Sequence, residues 1–261
     1  MAVQRDKVIA NAEKLVAKGK IDDARKDAAR SLEIRKKVLP PRHFKIAEAL
    51  SVSAKIALAE GKVADAKQEF EEALQIAQEA KPEQVLLLGQ LHTILAAIAQ
   101  QVDHDQAAAM RHYEEAVPLV RKRAGPDSLE LGILLSNYGQ VKAVDDLDAG
   151  LAILGEARAI LDRLNDKRAT LVALAMAEVE NEHKRFTAAK AHAEDMLAHA
   201  SPDEDPANLA LGKWALAQAL AGTKGDVGKA RQMAGEARAT LAHLGAAYAD
   251  YLEAIDAWLK K

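Results

Sequence analysis

One stretch of the chain comes back 42 residues later. Gly19-Lys20-Ile21-Asp22-Asp23-Ala24 and Gly61-Lys62-Val63-Ala64-Asp65-Ala66 share the Gly, the Lys, an acidic residue and the final Ala. A Gly at such a place ends one helix in the left-handed conformation, and an Asp just beyond it favours the start of the next. The stretch therefore reads helix, tight turn, helix. Self-similarity at a period of this size is the mark of a stacked array, because one hairpin cannot bury its apolar face alone.

The flanks of the turn recur too. Ala66 is followed by Phe70, Ala73, Leu74 and Ile76; Ala109 by Tyr113, Ala116, Val117 and Leu119; Ala24 by Ala28, Ser31, Leu32 and Ile34. Steps of four and three place these on one helix face, small, larger, small. The helix before each turn carries a bulky residue and then small ones: Val8, Ala12 and Leu15; Leu50, Ser53, Ala54 and Ala57; Trp214, Ala217 and Ala221 before Gly225-Asp226. Composition agrees. Of the 261 residues 56 are Ala, only 3% are aromatic, and Gly and Pro together number 21. Ala is the strongest helix former, and a sheet would need β-branched and aromatic residues. With few large rings, apolar area must be buried by close helix approach.

A bulky residue, a small residue, a Gly turn, then Ala, aromatic and Ala resembles the tetratricopeptide repeat, with Trp214 at the family's Trp position and Phe70 and Tyr113 at its second aromatic. The extra length lies in Ile34 to His43 and Val120 to Asp127, which resemble the linkers of the kinesin-light-chain type, also common in bacterial regulatory proteins and the tails of some Ser/Thr kinases. The resemblance implies an all-α, right-handed α-solenoid of about six helix pairs plus a C-terminal capping helix. A single domain over 1–261 is expected, with repeats at 3–40, 44–81, 84–124, 127–164, 167–200 and 206–244 and a cap at 246–261. Tyr248, Leu252, Ile255 and Leu259 are spaced as the cap's covering face. Repeat four departs from the pattern, with Gly150 where others have Ala and no Gly turn; repeat five has Lys184 in place of the turn Gly. Pro40-Pro41, Lys81-Pro82, Gly125-Pro126 and the acidic Ser201 to Pro206 mark linkers.

The resemblance also implies a protein or peptide partner held by the first helices of the pairs. Mapped by repeat position, the inward-facing candidates are Glu13, Lys55, Ile98, Asn137, Gln140, Glu178, Asn181 and Glu182, where polar residues mostly interrupt an apolar pattern. The Lys and Asn pairs that would clamp a terminal carboxylate are not evident. Two other readings stay open: a self-associating or spacer module, and the regulatory region of a larger signalling enzyme such as a Ser/Thr kinase. Met1 followed at once by helix-forming sequence favours a free-standing chain.

Chemistry is sparse by comparison. The absence of cysteine removes disulfides, thiolate metal sites and a cysteine nucleophile. No two histidines stand three or four apart, so His104, His112, His183, His192 and His199 show no helical metal-ligand spacing. Asp145 to Gly150 resembles a calcium loop but has Gly one position early and Ala157 where a Glu is needed, so the aspartates read as helix starters. Ser136-Asn137-Tyr138-Gly139 lies in helical sequence and is no nucleophile elbow. The expectation is a non-enzymatic scaffold without cofactor or metal. Residues 1–43 carry a net +6 and the rest −9. Arg35-Lys36-Lys37 and Arg121-Lys122-Arg123 end second helices, where cations complement the helix dipole; lacking interleaved aromatics, they do not favour nucleic acid. No signal-peptide core or membrane span is present in the sequence, so a soluble cytoplasmic monomer is expected.

Overall fold

The computed structural model of the protein describes residues 20–260, so the Val8–Leu15 helix, the Gly19 turn and the candidate Glu13 lie outside the described residues. Among those described there are twelve α-helices and no strand. They are α1 (Ile21–Val38), α2 (Phe44–Ala59), α3 (Val63–Glu79), α4 (Val85–Gln101), α5 (Gln106–Ala124), α6 (Leu129–Asp145), α7 (Leu147–Arg163), α8 (Arg168–Glu182), α9 (Phe186–His199), α10 (Pro206–Gly222), α11 (Val227–Leu244) and α12 (Ala249–Leu259), the last preceded by a 3-10 turn at Ala246–Tyr248. No helix among the described residues is long and apolar enough to cross a membrane.

The chain divides into two compact units, Met1–Pro126 and Asp127–Lys261. In the first, α2 pairs with α3 and α4 with α5, and each hairpin packs on its neighbour. Phe70, Leu50, Leu91 and Ile46 form its core, all essentially inaccessible. In the second, α6 pairs with α7, α8 with α9 and α10 with α11, and α12 packs on α11. Trp214, Met196, Leu241 and Ile255 centre that core, with Tyr248, Leu252 and Leu259 laid partly buried against it. Trp258 joins them, meeting Trp214 edge to face at 5.6 Å. The small residue that opens each second helix is fully buried at Ala24, Ala66, Ala109, Ala189 and Ala230.

The turns are closed by geometry more than by glycine. Gly61 takes φ +76°, but His104, Lys184 and Lys224 take the same left-handed conformation at +53°, +61° and +54°. At Gly61, Lys184 and Lys224 the next residue's backbone N–H reaches back five residues, from Lys62 to Ala57 (2.9 Å), Arg185 to Glu180 (2.7 Å) and Gly225 to Leu220 (2.9 Å); at His104 it reaches back six, from Asp105 to Ala99 (2.9 Å). This closure satisfies carbonyls the helix end would leave open, which offsets the roughly 1–2 kcal/mol a side chain costs there. The sixth turn therefore corrects the sequence expectation, since Lys224 and not Gly225 is left-handed. Repeat four needs no such turn: Asp146 alone joins α6 to α7, and its side chain accepts from Ala149 N at 3.1 Å. The single-residue join is why repeat four has no Gly turn.

Exposed ion pairs link successive hairpins, among them Lys36–Glu72 (3.5 Å) and Lys67–Asp103 (2.6 Å) in the first unit, and Arg185–Asp148 (2.8 Å) and Lys167–Asp203 (3.7 Å) in the second. Each is worth about 0.2–1 kcal/mol and fades with salt. Apolar burial holds the stack. Arg35 departs from the expected dipole-complementing cluster: only 1% exposed, it donates to the backbone oxygen of Lys45 and to Glu48 (3.1 Å). The charge is buried as a strut from α1 to α2, while Lys36 and Lys37 pair at the surface with Glu72 and Glu33.

Candidate functional site

In the second unit the first helices of the pairs carry two cavities with one residue in common. The first, of about 300 Å³, is lined by Ser136, Asn137 and Gln140 of α6, by Arg168, Leu171 and Glu178 of α8 and by Asn208 of α10, over an apolar floor that includes Leu161 and Leu174. The second, of about 390 Å³, is lined by Glu178, Asn181 and Glu182 of α8, Trp214 and Gln218 of α10, and Asp250, Tyr251 and Ala254 of α12. Glu178 belongs to both walls. Helical geometry explains the set: residues 178, 181 and 182 share one face of α8, and 137 and 140 share one face of α6.

Five of the eight candidates are thus brought together, namely Asn137, Gln140, Glu178, Asn181 and Glu182. Lys55 sits half-buried on α2 in the first unit. Ile98 is not a groove residue: it is 5% exposed and packs into the first unit's core with Leu91 and Leu95. Burying an aliphatic side chain of this size in the core is worth about 1.5–3 kcal/mol. Glu180, two residues from Glu178, points elsewhere; it is 3% exposed and 2.8 Å from His192 Nδ1 on α9.

The charges in this region have definite causes. Asp166 accepts from the Arg168 guanidinium at 2.7 Å through both oxygens and from its backbone N at 3.0 Å, which holds the carboxyl down at about 2 and steadies the guanidinium at the edge of the first cavity. Glu178 is the opposite case. Burial, reinforced by the neighbouring Glu182 charge, pushes its carboxyl up to about 7, although Tyr251 donates to it at 3.5 Å. Burial likewise raises Tyr251 to about 12, with Glu178 contributing.

This has a consequence for stability. A carboxyl raised in the folded state makes its contribution below the unfolded value of 4.5 and loses it as pH climbs through about 7. Glu178→Gln keeps an acceptor for Tyr251 and removes the charge. At pH 8 it is expected to raise stability by on the order of 1–2 kcal/mol, or roughly 2–8 °C in Tm. At pH 4 the difference should vanish. Thermal melts at the two pH values check it, and an equal shift at both would contradict the assignment.

Several lining residues went unread in the sequence. Arg168, Asn208, Asp250 and Tyr251 gave no signal beyond polarity near helix starts, because only packing shows that these turns meet. The same holds for His92 and His112, twenty residues apart, whose Nδ1 atoms lie 3.1 Å apart across the α4/α5 hairpin. Burial lowers both, each in an already crowded site. Among the described residues no group of three or more His, Cys, Asp or Glu is placed to hold a metal ion.

No family model and no curated protein matches the chain. Solved structures do. The chain is similar to the assembly chaperone of RpL4 (Acl4), with a TM-score of 0.67 at 18% identity over 98% of this chain and 95% of that one. It is similar to BtubC (BKLC) from P. vanneervenii, with a TM-score of 0.65 at 20% identity over 92% of both chains. A putative kinesin light chain of Podosopora anserina with nearly identical TPR-like repeats gives 0.60 at 14% identity, over 75% of this chain and 93% of that one. Likeness at these identities speaks to fold. The protein has the all-α, paired-helix fold seen in such TPR-like repeat structures.

Proposed function

We propose that this protein is a non-enzymatic scaffold that holds a segment of a protein partner against the faces of α6, α8 and α10, with α12 at one end. The observation that carries the reading is the run of two adjoining cavities whose walls come from first helices of successive pairs and offer amides, a guanidinium and carboxylates over an apolar floor. Such a lining suits an extended peptide, with backbone groups met by Asn137, Gln140 and Asn208 and side chains seated below. Structural neighbours that include an assembly chaperone are in keeping with a protein partner.

The capping helix bears on the self-association alternative. α12 lays Leu252, Ile255 and Leu259 on the last hairpin, so that end of the array is covered from within the chain. A covered end favours a monomer over head-to-tail stacking of copies.

The test is capture from native extract with the wild-type chain and with Asn137→Ala/Gln140→Ala/Glu178→Ala. The triple variant should lose the partner while keeping its helical circular dichroism and a cooperative melt. Retention of the same partner at the same level would refute the assignment of this face.

A further inference from the structure

We propose that His92 and His112 form an acid-operated latch on the α4/α5 hairpin, fastened by one proton between the two rings and released when both rings are charged. Both residues belong to the first unit, and neither lines the cavities described above.

The two Nδ1 atoms lie 3.1 Å apart and the ring centroids 5.3 Å apart. Nearly all of the remaining distance is taken up by the rings themselves, so the nitrogens face each other head on. His92 is 6% exposed and His112 half-buried, and among the described residues neither ring makes another hydrogen bond. Each is therefore the other's partner, and the bond ties the middle of α4 to the middle of α5.

Protons can occupy that contact in three ways. A neutral imidazole has one N–H and one bare nitrogen, and an imidazolium has two N–H groups. Two neutral rings fit, with one Nδ1–H donating to the other's bare Nδ1, and either ring can be the donor. One charged and one neutral ring also fit, because the neutral ring keeps its hydrogen on Nε2 and accepts at Nδ1. Two charged rings do not. Two N–H donors would then point at each other across 3.1 Å, with like charges in a partly buried site. The second proton is thus the trigger, and the rings must part to take it.

The surroundings do not rescue the doubly charged pair. α4 itself contains no Asp, Glu, Lys or Arg. Glu115 on α5 and Glu71 on α3 favour charged rings, while Arg111 on α5 and Lys67 on α3, the latter bound to Asp103 at 2.6 Å, oppose them. Burial is the largest influence on both rings and outweighs the acids, so each is held below the usual histidine value of 6.5. A ring kept neutral by the fold contributes stability above its unfolded value and loses it as pH falls below that value. The hairpin is therefore fastened at pH 7.5 and loosens as pH drops below 6.5, each proton adding up to about tenfold per pH unit to the opening equilibrium. Glu178 carries the opposite sign, so acid loosens the first unit through this pair while it firms the second through that carboxyl.

The test follows backbone amide exchange in the full chain by mass spectrometry at pH 7.5 and pH 5.0, each corrected for the chemical exchange rate at that pH. Peptides from α4 and α5 should open about tenfold more, or beyond, at pH 5.0, while peptides from α10 and α11 should not. His92→Gln leaves one titratable ring and no doubly charged state, so the acid response of α4 and α5 should shrink to about twofold. Should that variant fail to fold, nitrogen-15 NMR of the wild-type rings decides alone. It should show one Nδ1 protonated and one bare at pH 7.5, then two separate proton uptakes, the second below 6.5. Exchange in α4 and α5 that is equal at the two pH values overturns the latch. So does the full acid response in folded His92→Gln, or two rings that titrate independently at the ordinary histidine value.

Discussion

Alanine at position 150 is expected to lower the stability of the second unit by about 2 kcal/mol or more, although alanine is the residue that repeats one, two, three, five and six carry at the matching place. Gly150 opens α7, and a Cβ there would lie 2.5 Å from the backbone N, Cα and Cβ of Ala143 on α6. Those atoms belong to a helix tied to α7 by a single residue, Asp146, so the two backbones cannot ease apart without breaking the join. Gly139 on α6 faces the same crossing, with its own missing Cβ 3.0 Å from the Gly150 carbonyl. Overpacking costs about 1–3 kcal/mol and occasionally more, a contact with unyielding backbone lies at the top of that range, and the better helix propensity of Ala returns about 1. Gly155, also in α7, is the control, since nothing lies within 4 Å of its would-be Cβ. Gly155→Ala should stabilise by about 0.5–1 kcal/mol. Urea midpoints of the two variants should therefore move in opposite directions; two shifts of the same sign would show that propensity and not contact governs this helix.

Phe70→Ala is expected to cost about 3–5 kcal/mol, the largest loss of any single truncation discussed. The ring is wholly inaccessible, in a core cluster with Leu50, Ala54, Leu74 and Leu91 drawn from α2, α3 and α4. The same repeat position holds Tyr113 in α5 and Leu154 in α7, each 0% exposed. In α9 and α11 it is Ala193 and Ala234, also 0% exposed, beside the bulk of Met196 and Trp214. In α1 it is Ala28, 2% exposed; volume at this layer can thus come from either helix of a contact, and in α3 and α5 it comes from the ring. A denaturation midpoint showing less than 1 kcal/mol lost would mean that the core there collapses freely, against the packing described.

Helix pairing was legible because it rests on local rules. The small-large-small spacing after Ala24, Ala66 and Ala109 needs only helical periodicity, and the aspartates at 105, 146, 205 and 226 announce helix starts that their side chains do cap. The turn residues were half legible. Gly61 is left-handed as a glycine invites, whereas His104, Lys184 and Lys224 are left-handed where the next residue's backbone N–H turns back to close the helix end. Of the candidate site, the residues on α6 and α8 could be found by counting along a face, and they meet in the structure. Ile98 could not be told from a lining residue by counting, since a helix packed on several sides has no face reserved for solvent.

By itself, then, the order of residues determined that the chain makes paired helices with small residues at their crossings, because periodicity and propensity act over a few residues. Only the tertiary structure decided that Arg35 is a buried strut, that His92 meets His112, and that Glu178 and Glu182 share a cavity with Asp250 from a helix some seventy residues on. Burial and electrostatic surroundings are properties of what packs against a residue, and that is set by chain segments far from it in sequence.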